Sequence, residues 1–133
     1  MSEATAGPVG GAPKLLLHLE GLLLAAICIW LFARSGASWW LFGALILVPD
    51  LSMLGYVAGP RPGAILYNAA HTLLGPGLLG AAGLALAQPT ALAVAMIWGA
   101  HIGIDRVLGY GLKYPSRFAD THLGVLGPAR KAG

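Results

Sequence analysis

A chain of 133 residues that is 57% hydrophobic and only 10% charged cannot cover a water-facing globular surface, because an average soluble domain is about 25% charged. Its net charge of +3 comes from cations at segment ends and not from a stripe along one face, which argues against nucleic acid as a partner. The single Cys28 excludes an internal disulfide framework. The expected fold class is an all-α membrane protein, and the twenty glycines suit helices that pack closely in lipid.

The Gly, Ala and Pro-rich residues 1–13 predict a disordered cytoplasmic tail, without the basic start of a signal peptide. A first span follows from Lys14 to Phe32, closed by Arg34-Ser35-Gly36. The second runs from Ser38 to Val57 and opens on Trp39-Trp40, a headgroup-level anchor. Two prolines and two glycines in Ala58-Gly59-Pro60-Arg61-Pro62-Gly63 turn the chain sharply. The third span, Ala64 to Ala87, is loosened at Gly75-Pro76-Gly77, and the fourth runs from Ala91 to Gly111. Each span is close to the roughly 20 residues that cross about 30 Å of hydrocarbon. Residues 112–133 form a basic cytoplasmic or interfacial tail, so the chain divides into tail 1–13, a four-helix transmembrane bundle 14–111 and tail 112–133.

Orientation follows from the short-loop cations. Lys14, Arg61, Lys113, Arg117, Arg130 and Lys131 fall on one side and only Arg34 on the other. Both termini are therefore expected in the cytoplasm, with the protein multi-pass in the inner (cytoplasmic) membrane. Membrane lipids are the expected partners, and a homo-oligomer is an alternative.

Glu20, Asp50, His71, His101 and Asp105 interrupt these apolar runs. An ionised group at the bilayer centre costs roughly 2.5–3.5 kcal/mol on insertion scales. From the cytoplasmic end of its span, Glu20 lies roughly 9 Å in, Asp50 roughly 10–12 Å, His71 and His101 roughly 10–15 Å and Asp105 roughly 9 Å. All five are expected in one layer. His101 and Asp105 are four apart and share a helix face; Asn68, His71 and Thr72 share another, with Tyr67 one turn earlier. Pro49 lacks an N–H and frees a carbonyl near Asp50, with Ser52 close by.

Imidazole and carboxylate suit a divalent metal, zinc first, and bundle helices build such sites. The expected ligands are Asp50, His71, His101 and Asp105. Asp105 acts as the fourth ligand or as general base, and Ser52 is a second candidate catalytic group. Glu20, Asn68 and Tyr67 are expected around them, and Tyr110 and Lys113 near a lipid headgroup. A metal with an open position lowers the pKa of bound water toward about 7 and so makes a nucleophile. Each residue also has a plainer explanation. An intramembrane His bridges helices by hydrogen bonds worth about 0.6 kcal/mol on average, and Asp105 can pair with Arg106, itself close enough to the interface to snorkel. His18 faces the interface, and Asp120-Thr121-His122 is polar enough to fold back as a lid or simply to face water.

Val48-Pro49-Asp50-Leu51-Ser52-Met53-Leu54-Gly55-Tyr56, Tyr67-Asn68-Ala69-Ala70-His71-Thr72 and His101-Ile102-Gly103-Ile104-Asp105-Arg106 carry a resemblance. So do Gly109-Tyr110-Gly111-Leu112-Lys113-Tyr114 and Thr121-His122-Leu123-Gly124. Together they resemble the signatures of a small bacterial integral-membrane family, domain-of-unknown-function family 4260, over roughly Leu15 to Gly124. That resemblance implies a four-span membrane protein and no particular activity. Asp50, His71, His101 and Ser52 are also loosely similar to the inventory of the alkaline ceramidase and adiponectin-receptor hydrolases, which implies a buried zinc ion. Four spans in place of seven, and His-x3-Asp in place of His-x3-His, separate this chain from them.

The expected function is metal-dependent hydrolysis of a lipid or other amphiphile. The alternatives are a proton or metal-ion conduit, a b-type haem carrier clasped by His71 and His101, and a structural or assembly protein.

Overall fold

The computed structural model describes residues 11–110, 112, 120–121 and 124–125. In chain order these form α1 (Gly11–Arg34), α2 (Trp39–Leu45), a 3₁₀ helix (Val48–Ala58), α3 (Pro60–His71), α4 (Leu74–Ala85) and α5 (Pro89–Leu108). Two short strands, β1 (Asp120–Thr121) and β2 (Gly124–Val125), pair antiparallel. Three stretches, Gly11–Arg34, Trp39–Ala58 and Pro89–Leu108, are each long and apolar enough to cross a membrane. The main body is thus all-α, with the long apolar helices of a membrane bundle.

Helix α5 is the most buried element and the common support of α1, α2 and α4. On α1 the buried positions Gly21, Ala25, Cys28 and Phe32 recur at spacings of four, three and four, a helical stripe that meets α5. The seam is close because its residues are small. A Cβ on Gly103 would stand 2.6 Å from the Ala25 nitrogen and 2.7 Å from the Gly21 carbonyl oxygen. One on Gly99 would stand 2.7 Å from Cys28 Sγ. The rest of α1 shows Leu15, Leu16, Leu19, Leu22 and Leu23 outward, the inverse of a soluble amphipathic helix.

At the other end of α1, Phe32 is fully buried among Ala93, Ile97 and Phe42. Its ring meets the edges of Trp39 and Phe42 at centroid distances of 4.9 and 5.2 Å. Ser38 starts α2 by accepting the Trp40 N–H at 3.2 Å, as N-cap serines do.

The second span is not one α-helix. After α2 the chain continues as a 3₁₀ helix of 11 residues, where runs beyond three or four are uncommon. Pro49 lies in its first turn and cannot donate a backbone hydrogen bond. The Asp50 N–H bonds the Leu47 carbonyl, three residues back, at 3.0 Å. Partly buried positions then recur at Pro49, Ser52 and Gly55, the three-residue repeat of this winding. Gly59, at φ 128°, turns the chain into α3, which packs along the 3₁₀ helix.

The third span is broken, and earlier than the sequence suggests. The break falls at Thr72-Leu73, with Thr72 extended (φ −87°, ψ 151°), while Gly75-Pro76-Gly77 lies inside the first turns of α4. The cause is still Pro76. A proline ring clashes with the carbonyl four residues before it and leaves that carbonyl without its N–H, which here is Thr72. Helix α1 also begins at Gly11, three residues ahead of the expected span. Within the tail, Asp120 pairs with Val125 and Thr121 with Gly124.

Candidate metal centre

Four side chains from three elements converge. Asp50 comes from the first turn of the 3₁₀ helix, His71 from the last residue of α3, and His101 and Asp105 from successive turns of α5. His71 Nε2 lies 3.2 Å from Asp50 Oδ1, 3.3 Å from Asp105 Oδ2 and 3.1 Å from His101 Nε2. His101 Nε2 lies 3.2 Å from each of the same carboxylate oxygens. One ligand atom from each of the four residues falls within 4.8 Å of all the others. A tetrahedron of ligands at zinc distances of about 2.0–2.1 Å has edges of about 3.3 Å, so five of the six separations already fit. Both imidazoles are buried, and the side chains of Asp105 and Asp50 are 14% and 33% exposed.

The backbone orients the rings. His71 Nδ1 donates to the Tyr67 carbonyl at 2.9 Å, and His101 Nδ1 donates to the Ile46 carbonyl at 2.5 Å. A carbonyl oxygen only accepts, so each Nδ1 carries a proton, and in the neutral form of each ring Nε2 turns a lone pair inward. Anchoring the outer N–H of a metal-binding His in this way is the usual support of such ligands. The Ile46 carbonyl is free for a reason written in the chain: an N–H at position 49 would have taken it in 3₁₀ winding, and Pro49 has none. The Tyr67 ring stacks on His71 at 3.8 Å and 7°.

Two Nε2 lone pairs and two carboxylate oxygens thus face one another at near-contact distance. Left so, four acceptors repel and none is satisfied. A proton on one Nε2 can bridge to a carboxylate 3.2 or 3.3 Å away, but the second Nε2 lone pair then still faces the other carboxylate. A single cation at the centre meets all four, so the donor set fits a divalent metal ion. It does not fit a haem. Axial nitrogens on opposite sides of an iron stand about two bonds of about 2 Å apart, and the 3.1 Å between these nitrogens leaves no room for a porphyrin plane.

Other expectations fare differently. Glu20 is exposed on α1, beside the stripe that meets α5, and does not join the cluster. Ser52 Oγ donates to the Pro49 carbonyl at 2.7 Å, which spends its proton locally and argues against a nucleophile. Tyr67 and the partly buried Asn68 lie on α3 close to His71 in sequence. Tyr110 is exposed just beyond α5, and its N–H closes on the Asp105 carbonyl at 2.7 Å. Lys113 and His122 lie outside the described residues. Arg106, expected to snorkel, instead reaches the His71 carbonyl at 3.3 Å through Nη2, so it caps the broken end of α3. His18 Nδ1 donates to the Val107 carbonyl at 2.9 Å. The Ile46 and Arg106 contacts escape a side-chain inventory, and only the missing N–H of Pro49 signalled the first.

An apolar cavity of about 350 Å³ has a lining that includes Leu45, Pro49, Ser52, Ala70, Ile97 and Trp98. Pro49 and Ala70 adjoin two of the candidate ligands in sequence, and Ile97 lies one helical turn before a third. Trp98 Nε1 donates to the Ala70 carbonyl at 2.6 Å.

No curated protein and no solved structure matches the chain. One family model does, over residues 14–126, including all four converging residues. The chain belongs to the family described as a domain of unknown function, DUF4260.

Proposed function

We propose that the protein is a membrane-embedded hydrolase of a lipid or other amphiphile, with zinc held by His71, His101 and Asp105 and with Asp50 beside them to accept a proton. The observation that carries this is the inward convergence of two Nε2 lone pairs and two carboxylates, with both outer ring nitrogens committed to backbone carbonyls. A divalent ion there supplies Lewis acidity and an activated water.

The residues divide the remaining work. Asp105 touches both imidazoles and is the less exposed carboxylate, so it serves as the inner ligand. Asp50 is the more exposed carboxylate, which moves the proton-accepting role from Asp105 to Asp50. Arg106 and the Ile46 and Tyr67 carbonyls hold the histidines in place. The apolar cavity offers no further polar step, which favours a fixed centre over a cation relay.

In this proposal the chain crosses the inner membrane four times, with α3 and α4 together forming the third crossing. The bundle occupies residues 14–111, both termini are cytoplasmic, and Tyr110 and Lys113 lie near lipid headgroups. The centre then lies in the cytoplasmic half of the bilayer.

Elemental analysis of protein purified in detergent tests the centre. About one zinc per chain is expected, lost in both His71→Ala and His101→Ala while helicity persists. Folded wild-type protein that neither contains nor takes up zinc overturns it.

A further inference from the structure

We propose that the cavity lined by Pro49 and Ala70 is an acyl-chain subsite, so that the bond cleaved is the ester or amide bond of an acyl lipid. This rests on the hydrolase reading and names its substrate class. The cavity is of small-ligand size, and its walls include residues adjoining the ligands in sequence. Two polar side-chain groups line it, and both are spent: the Ser52 hydroxyl on the Pro49 carbonyl and the Trp98 N–H on the Ala70 carbonyl. With both side-chain donors committed and the rest of the lining hydrocarbon, it accommodates an alkyl chain and offers no free donor to a phosphate.

Pro49 of the lining directly precedes Asp50, the more exposed of the two carboxylates. A chain seated there would present its carbonyl end to the centre past that carboxylate. A second apolar groove, of about 500 Å³ between α1, α4 and α5, has no lining residue next to a candidate ligand in sequence, whereas Pro49 and Ala70 of the first directly precede Asp50 and His71. In hydrolysis of an acyl ester, the C–O bond to the alcohol breaks and the water oxygen bonds to the acyl carbon. One water hydrogen leaves with the alcohol, and the other is released as the acid ionises.

Trp98 is a built-in reporter. Trp30, Trp39 and Trp40 are all exposed, so a Trp30→Phe, Trp39→Phe, Trp40→Phe variant leaves its emission alone. This protein, in detergent micelles, is titrated with chain-brominated palmitate, with and without zinc. Quenching is expected to saturate and to be reversed by palmitate far better than by butyrate. Zinc should tighten binding about tenfold, equivalent to about 1.4 kcal/mol, as the carboxylate end meets the ion. Val94→Phe, which fills the cavity from α5, should abolish the saturable part with zinc content unchanged. Leu79→Phe does the same from α4 if the first variant fails to fold.

Quenching that rises linearly, as when helices are merely solvated by the micelle, overturns the subsite. So does saturable quenching that is indifferent to bound zinc. Protein that takes up no zinc overturns the hydrolase reading and with it the assigned bond, while saturation still decides whether a chain fills the cavity.

Discussion

Asp50 and Asp105 are chemically alike and stand at similar distances from both histidines, yet their surroundings differ. Both touch the two imidazoles, but Asp105 sits on the most buried helix with its side chain 14% exposed, and that of Asp50 is 33% exposed. Asp105→Asn should therefore strip the metal. Asp50→Asn should retain most of it and lower turnover of an acyl-ester substrate by about 10²–10⁴-fold, the usual contribution of a positioned general base. Zinc content and hydrolysis measured on the same preparations distinguish the two, and the opposite pattern would reverse the roles.

Much of the cluster was legible at this scale, because an ionisable group in an apolar run has few reasons to be there. Asp50, His71, His101 and Asp105 all signalled themselves. Glu20 is not one of the four. Depth puts it level with the others, but azimuth decides contact, and on α1 the inward face is set by Gly21, Ala25, Cys28 and Phe32. Their small-residue spacing was in the sequence and was the better guide.

Winding decides what each segment can offer. Pro49 both promotes the 3₁₀ turn and leaves the Ile46 carbonyl to His101. Pro49→Ala returns a competing N–H, and loss of such an outer-ring support is expected to weaken metal affinity about 10–100-fold. Zinc titration against a chromophoric chelator measures it. A continuous apolar run looks the same to a hydropathy reading whether it coils with 3.0 or 3.6 residues per turn, so the 3₁₀ helix was not legible. The break in the third span was half legible: Pro76 named the cause, and its effect lies four residues upstream, where the ring meets a carbonyl.

The α1–α5 seam is the other element-scale test. At Gly103 a side chain would meet the α1 backbone itself, which has no far end to swing aside. Gly103→Ile should cost about 1–3 kcal/mol, the usual range for overpacking, read as a lower unfolding midpoint in detergent. An unchanged midpoint would mean that the helices part more easily than their contact suggests.

At the scale of the whole molecule, the proposed orientation rests on the cation asymmetry and can be tested directly. In a Cys28→Ala background, Ser35→Cys should react with a membrane-impermeant thiol reagent in intact cells. Arg61→Cys should react only after the membrane is opened. Equal labelling of both, or the reverse order, would refute four crossings with cytoplasmic termini.

The tight coil around Asp50 also sets a length. A 3₁₀ helix rises about 2.0 Å per residue against about 1.5 Å in an α-helix, so the stretch Val48–Ala58 is about a third taller and slimmer than it would otherwise be. Twenty residues from Trp39 to Ala58 therefore reach farther than their number implies. Any substitution that relaxes the coil would shorten this strut by about 5 Å and wind each successive residue by about 100° in place of about 120°, carrying the Asp50 carboxylate out of register with the two imidazoles.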